Sequence, residues 1–187
     1  MEKVDITLRN ALLVTILLIS FQVHGQKQDS VLIHQFDSLI SKVETQAEKN
    51  EHFHTTQASG SMCKKVLGIF NRSIGGFHHD VIYHDTLVYK IENVHSYTKE
   101  KRMLVETFYY QENQLIKYVE TKKLDIEEAK SYSLEHEIIA YFDGDKLIKL
   151  SKIVNDDFEF SSMELHEVMR RAKDMRVFYQ RYLSVYD

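Results

Sequence analysis

From Val81 to Val154 the chain repeats one pattern that leaves few folds open. Short runs rich in aromatic and β-branched residues alternate with polar turns. Val81–His84, Leu87–Tyr97, Met103–Tyr110, Gln114–Thr121, Glu137–Phe142 and Lys146–Val154 read as strands. Gln111-Glu112-Asn113 divides one pair of runs and Asp143-Gly144 another. Asp-Gly between apolar runs signals a hairpin, because both central positions of its turn need positive φ. Consecutive hairpins with arms of this length make an antiparallel meander, which leaves one face free to meet water.

Helical spacing flanks these runs. Leu32, Phe36, Leu39, Ile40, Val43 and Ala47 recur at three- and four-residue steps, which predicts a helix over about residues 29–50 with Asp29 or Ser30 as its cap. Ser161-Ser162-Met163-Glu164 has the form of a capping box. After it, Leu165, Val168, Ala172, Met175, Tyr179, Tyr182 and Tyr186 define the apolar face of a closing helix. Such a face packs on something, most simply the sheet. The expected fold is α+β: an antiparallel β-meander of about five or six strands with the N- and C-terminal helices packed on one face. Between helix and sheet, His52 to Gly76 carries Gly60, Gly68, Gly75 and Gly76 and reads as a strand or a packed loop.

Two hairpins share a motif. Phe108-Tyr109-Tyr110-Gln111-Glu112-Asn113-Gln114-Leu115-Ile116-Lys117-Tyr118 and Tyr141-Phe142-Asp143-Gly144-Asp145-Lys146-Leu147-Ile148-Lys149 both run from an aromatic pair through a polar turn to Leu-Ile-Lys. In this the chain resembles small exported bacterial α+β proteins built on β-meanders, a group with no assigned activity. The resemblance implies a fold and brings no functional residue with it.

The N-terminus points to export. Lys3 and Arg9 precede an uncharged apolar run from Ala11 to Phe21, and Val23 and Gly25 suit the −3 and −1 positions of a signal-peptidase site. The run falls short of the roughly 20 apolar residues a membrane span needs. Residues 1–25 therefore read as a signal peptide and residues 26–187 as a single α+β domain, periplasmic or secreted, with no stable span after cleavage. Cys63 is the only cysteine, so no disulfide forms within the chain, and its expected place is buried as a small hydrophobe. One cysteine and no proline suit a bacterial exported product. Asn71-Arg72-Ser73 matches a glycosylation sequon that only a eukaryotic secretory route would use. A net charge of −4 gives no basic footprint for nucleic acid.

Catalytic motifs do not emerge. Neither GxGxxG nor GxxxxGK[ST] occurs, and Ser59-Gly60-Ser61-Met62 is not a nucleophile elbow. His166-Glu167-Val168-Met169-Arg170 opens like a zinc-protease motif, but Arg170 stands where the second histidine must be. The histidines carry the remaining signal. His52 and His54 share a side if that segment is extended, and His78 and His84 share a strand face with Asp80 between them. These four are the candidate metal ligands, for zinc or copper.

Three functions follow. The first is a non-enzymatic exported binding domain, which predicts an exposed aromatic patch for an unknown protein or small-molecule partner. The second is a metal-binding protein, which predicts that at least three of His52, His54, His78 and His84 converge. The third is a hydrolase of unrecognised type, which predicts a concave pocket lined by titratable groups with shifted pKa values. No catalytic or cofactor-binding residue is assigned.

Overall fold

The computed structural model describes residues 29–66, 70–126, 131–154 and 162–186. The export signal, Ser161 of the capping box and the side chain of Asn71 lie outside the described residues. The chain divides into two compact units, Met1–Ser38 and Leu39–Asp187. Residues 29–48 are helical (α1). The helix ends as its residues dictate. Asn50 adopts φ 54, its N–H bonds Ala47 O at 3.0 Å, and Glu51 N–H bonds Gln46 O at 2.8 Å. That pair of bonds is the Schellman cap, in which Asn tolerates the left-handed position.

The second unit holds one seven-stranded sheet and the closing helix. The strands are β1 (His54–Val66), β2 (Phe70–His84), β3 (Leu87–Tyr97), β4 (Arg102–Gln111), β5 (Gln114–Ile126), β6 (Ser131–Asp143) and β7 (Lys146–Val154), and α2 is Ser162–Tyr186. They lie in chain order, each antiparallel to the next. The α+β class and the meander are as expected. The strand beyond the expected five or six comes from the glycine-rich stretch, which forms β1 and the first half of β2.

Three hairpins, β2–β3, β4–β5 and β6–β7, are built alike. Each has a two-residue loop, then a bulge three residues into the returning strand. Tyr83 faces Val88 while Ile82 faces Lys90, leaving Tyr89 extra. Likewise Ile116 is extra between Leu115 and Lys117, and Ile148 between Leu147 and Lys149. A bulge adds one unpaired residue and sharpens the local twist. The Leu-Ile-Lys motif is thus the bulge itself, and Val88-Tyr89-Lys90 is its third copy. The last loop is Gly144-Asp145 rather than Asp143-Gly144, since Asp143 pairs with Lys146 and Gly144 takes φ 58 at the first loop position. Glu112 and Asn113 both take positive φ, as a type I′ turn requires.

Within the second unit, the end of α1 from Leu39 onward and α2 pack on opposite faces of the sheet, where a single face was expected. Val168, Ala172, Tyr179 and Leu183 of α2 join Val81, Ile91, Phe108, Tyr118, Ala140 and Phe142 in the main core. In the same unit, Leu39, Val43 and Ala47 pack with Phe53, Ile82 and Tyr89. Ile82 neighbours Val81 on one strand, and successive strand residues point to opposite faces. The main core is the stronger anchor, because each fully buried large side chain contributes about 1.5–3 kcal/mol. Tyr182, expected on the packed face of α2, is 44 % exposed, and Leu183 takes its place.

Candidate functional site

Beside α2 opens a cavity of about 720 Å³. One wall is the hairpin ends, with Tyr110, Asn113 and Leu115 on one side and Gly144 and Asp145 on the other. The opposite wall is the flank of α2, where Leu165, Met169 and Ala172 continue the apolar floor. His166, Arg170, Lys173 and Arg176 form a basic rim. The volume is in the range of small-molecule sites, which combine an apolar lining with a few polar groups.

The floor is fixed from below. Tyr110 OH donates to Ala172 O at 2.8 Å, tying β4 to the middle of α2. Burial pushes the Tyr110 phenol far above its usual range, with the Arg176 charge opposing, so it stays a neutral donor. At the outer end Gln180 Nε2 donates to Asn113 Oδ1 at 2.7 Å. Arg170 is committed within its own helix, bonding Glu167 at 2.6 Å and Asp174 at 2.9 Å.

A second polar assembly lies under α2 and positions it. Glu106, 2 % exposed, accepts from Asn93 Nδ2 at 3.3 Å, Tyr118 OH at 2.8 Å and Arg171 Nη1 at 2.5 Å. Tyr118 OH also lies 2.6 Å from Glu120 Oε2, and His136 Nε2 lies 2.7 Å from Glu120 Oε1. Burial, then the Glu106 and Glu120 charges, hold the Tyr118 phenol far above its usual value. Burial works against the Arg171 charge, but the Glu106 carboxylate and the groups around it outweigh that and raise its pKa. His79 Nδ1 meets Tyr179 OH at 2.6 Å. Asn93 favours the charged form of His79, yet Asn93 Oδ1 has no hydrogen bond of good geometry among the described residues. The shifted Tyr118 and Arg171 sit in this assembly, whereas the open cavity lies on the other flank of α2. Of the cavity-lining residues, Tyr110 and Arg170 carry shifted pKa values; Tyr110 is locked to Ala172, and the hydrogen bond to Glu167 raises Arg170.

The chain has no match among protein-family models, curated proteins or solved structures.

The four histidines marked by sequence do not gather. His52 takes φ 62, so the His52–His54 segment is not extended. His54 pairs with Tyr83 and its ring lies 5.6 Å from the Tyr83 ring, tilted by 46°, which places it on the α2 face. His78 and His84 point to the opposite face, with Ile82 between them. There His78 bonds Asp80 at 3.0 Å, and His84 lies 3.7 Å from Asp85 and packs on Phe53. Among the described residues no group of three or more His, Cys, Asp and Glu is placed to hold a metal. Cys63, expected to be buried, is exposed on β1. None of these five lines the cavity.

The cavity residues escaped sequence reading for a physical reason. Lys173 and Arg176 sit beside the apolar stripe of α2, where cations are the ordinary solvated flank of an amphipathic helix. Only their place above Tyr110 and Leu115 distinguishes them, and that is a tertiary fact. On the outer side of α2, Phe178, Tyr182 and Val185 are 61 %, 44 % and 77 % exposed, at helical spacing. No described helix is long and apolar enough to cross a membrane.

Proposed function

We propose that the protein is an exported, periplasmic or secreted, non-enzymatic binding domain that takes a small molecule in the cleft beside α2. The cleft carries this reading: about 720 Å³ with an apolar floor of Tyr110, Leu115, Leu165 and Met169 under a polar rim. Export is supported by the charged start, apolar run and small-residue exit of residues 1–25. The chain has no tryptophan, so Leu165→Trp supplies a lone reporter at the cleft. Its emission should shift to the blue and titrate to saturation with a medium-chain alcohol. Emission unchanged up to the alcohol's solubility limit would remove the cleft as a binding site. Mass analysis of the product in the exported fraction should find its N-terminus at Gln26.

A second reading, a protein partner, is favoured by the exposed Phe178, Tyr182 and Val185 stripe. A triple Ser variant of these positions should lose any partner that the wild-type protein retains from the exported fraction. Equal retention by both proteins would clear the stripe of that role.

A further inference from the structure

We infer that the ligand of this cleft is a single-chain carboxylate, its apolar tail on the floor and its anionic head between Lys173 and Arg176. The inference rests on the binding reading above and adds the charge of the ligand. Lys173 and Arg176 stand three residues apart on α2, so they project from neighbouring positions on one flank, and both line the cavity. Their charges are not matched as those of their neighbours are. Arg170 is held by Glu167 and Asp174, and Arg171 by Glu106. Among the described residues Arg176 donates only to the neutral amide of Gln180, at 3.1 Å, and Lys173 has no hydrogen bond or ion pair. Among the described residues Asp145 is the one acid lining the cavity, at the loop on the opposite wall.

An apolar floor with two uncompensated cations at its edge complements a molecule with a tail and a negative end. A neutral chain leaves both cations without a counter-charge. A cationic amphiphile places like charges together, which specific sites avoid. The net charge of −4 makes this basic edge a local feature of the protein and not a general attraction for anions.

Calorimetry on the purified protein would compare decanoate, decanol and decyltrimethylammonium, each below its micelle concentration. Decanoate should bind about tenfold tighter than decanol, the size expected from two partly exposed charge-assisted contacts. The ammonium should bind weakest. The gap between decanoate and decanol should narrow as salt rises. Lys173→Gln with Arg176→Gln should close that gap by weakening decanoate far more than decanol. Equal affinity of decanoate and decanol for the wild type overturns the carboxylate while leaving the cleft as a binding site. No binding by any of the three overturns both readings. A gap that survives in the double variant overturns the assignment of the head to these two residues.

Discussion

Arg171 on α2 reaches Glu106 on β4 with Nη1 2.5 Å from Oε1, and Glu106 is 2 % exposed. The pair joins the helix to the centre of the sheet. Removing the cation strands a carboxylate in the core, which costs about 3–5 kcal/mol when a buried pair is broken. The Arg171 side chain is 35 % exposed, so the lower end of that range applies. Arg171→Met should lower the urea unfolding free energy by about 3 kcal/mol. Adding Glu106→Gln should recover much of the loss, because the amide keeps a carbonyl for Asn93 and Tyr118 and no longer needs a counter-charge. A cost for Arg171→Met under about 1 kcal/mol would show that water replaces the guanidinium without penalty.

His79 gives the helix a pH-dependent contact. Burial, then the neighbouring His95, hold its pKa below the usual value, while Asn93 on β3 opposes them and His78 adds to them. From α2 it meets the Tyr179 hydroxyl, itself held above its usual pKa by burial and by Tyr182. The unfolded chain protonates this histidine near pH 6.5, and the folded chain does so only at lower pH. The unfolded state therefore binds more protons in that window, and stability falls as pH drops through about 6.5. The urea midpoint should fall between pH 7.5 and 5.5, and His79→Gln should flatten that fall. An equally steep fall in the variant would assign the dependence to other groups.

Much of this fold is legible from local pattern, and its failures have identifiable causes. The runs from Leu87 to Val154 gave their strands closely at the hairpin ends, because a half-buried strand alternates and its turns carry Glu-Asn or Gly, whereas β5 and β6 extend to Ile126 and from Ser131, beyond the expected Thr121 and Glu137. β1 was not legible: its residues, such as Thr55, Ser59, Lys64 and Lys65, are exposed, so no face of it needs to be apolar. Which strand residues face which helix was not legible for another reason. At each bulge the inward residue is followed by two that turn away, as Val88 is followed by Tyr89 and Lys90 before Ile91 returns to the core. A period of two counted through that point assigns the wrong face. The buried Glu106 was invisible because a glutamate in a strand reads as the solvent side, and only Arg171, distant in sequence, makes its burial tolerable.

Cys63 offers a simple check on β1. It is the chain's single thiol, and it is exposed on the edge strand of the sheet. A thiol reagent should label it fully in the folded protein, at a rate that denaturant raises only modestly. Labelling that waits for denaturant would place the thiol under cover and contradict the exposure of this strand.

Gly75 tests whether the β2–β3 ladder is as close as it looks. A Cβ at this position would lie 1.8 Å from the Ser96 backbone oxygen and 3.0 Å from Met62 Cε. The first contact cannot be relieved by a side-chain rotation, because Ser96 belongs to the strand paired with β2. The Ser96 hydroxyl also bridges to Gly76, accepting from its N–H and donating to its carbonyl, both at 3.2 Å. Moving the strand aside would therefore loosen these bonds as well. Gly144 is the contrasting case: nothing lies within 4 Å of an added Cβ, and its only demand is φ 58. Gly144→Ala should cost about 1–2 kcal/mol, the penalty for an L-residue in the left-handed region. Gly75→Ala combines overpacking, about 1–3 kcal/mol, with a disturbed ladder, and should be the more damaging of the two in urea unfolding. The reverse order would mean that β2 and β3 separate at Gly75 with little penalty, and that this end of the sheet is held elsewhere.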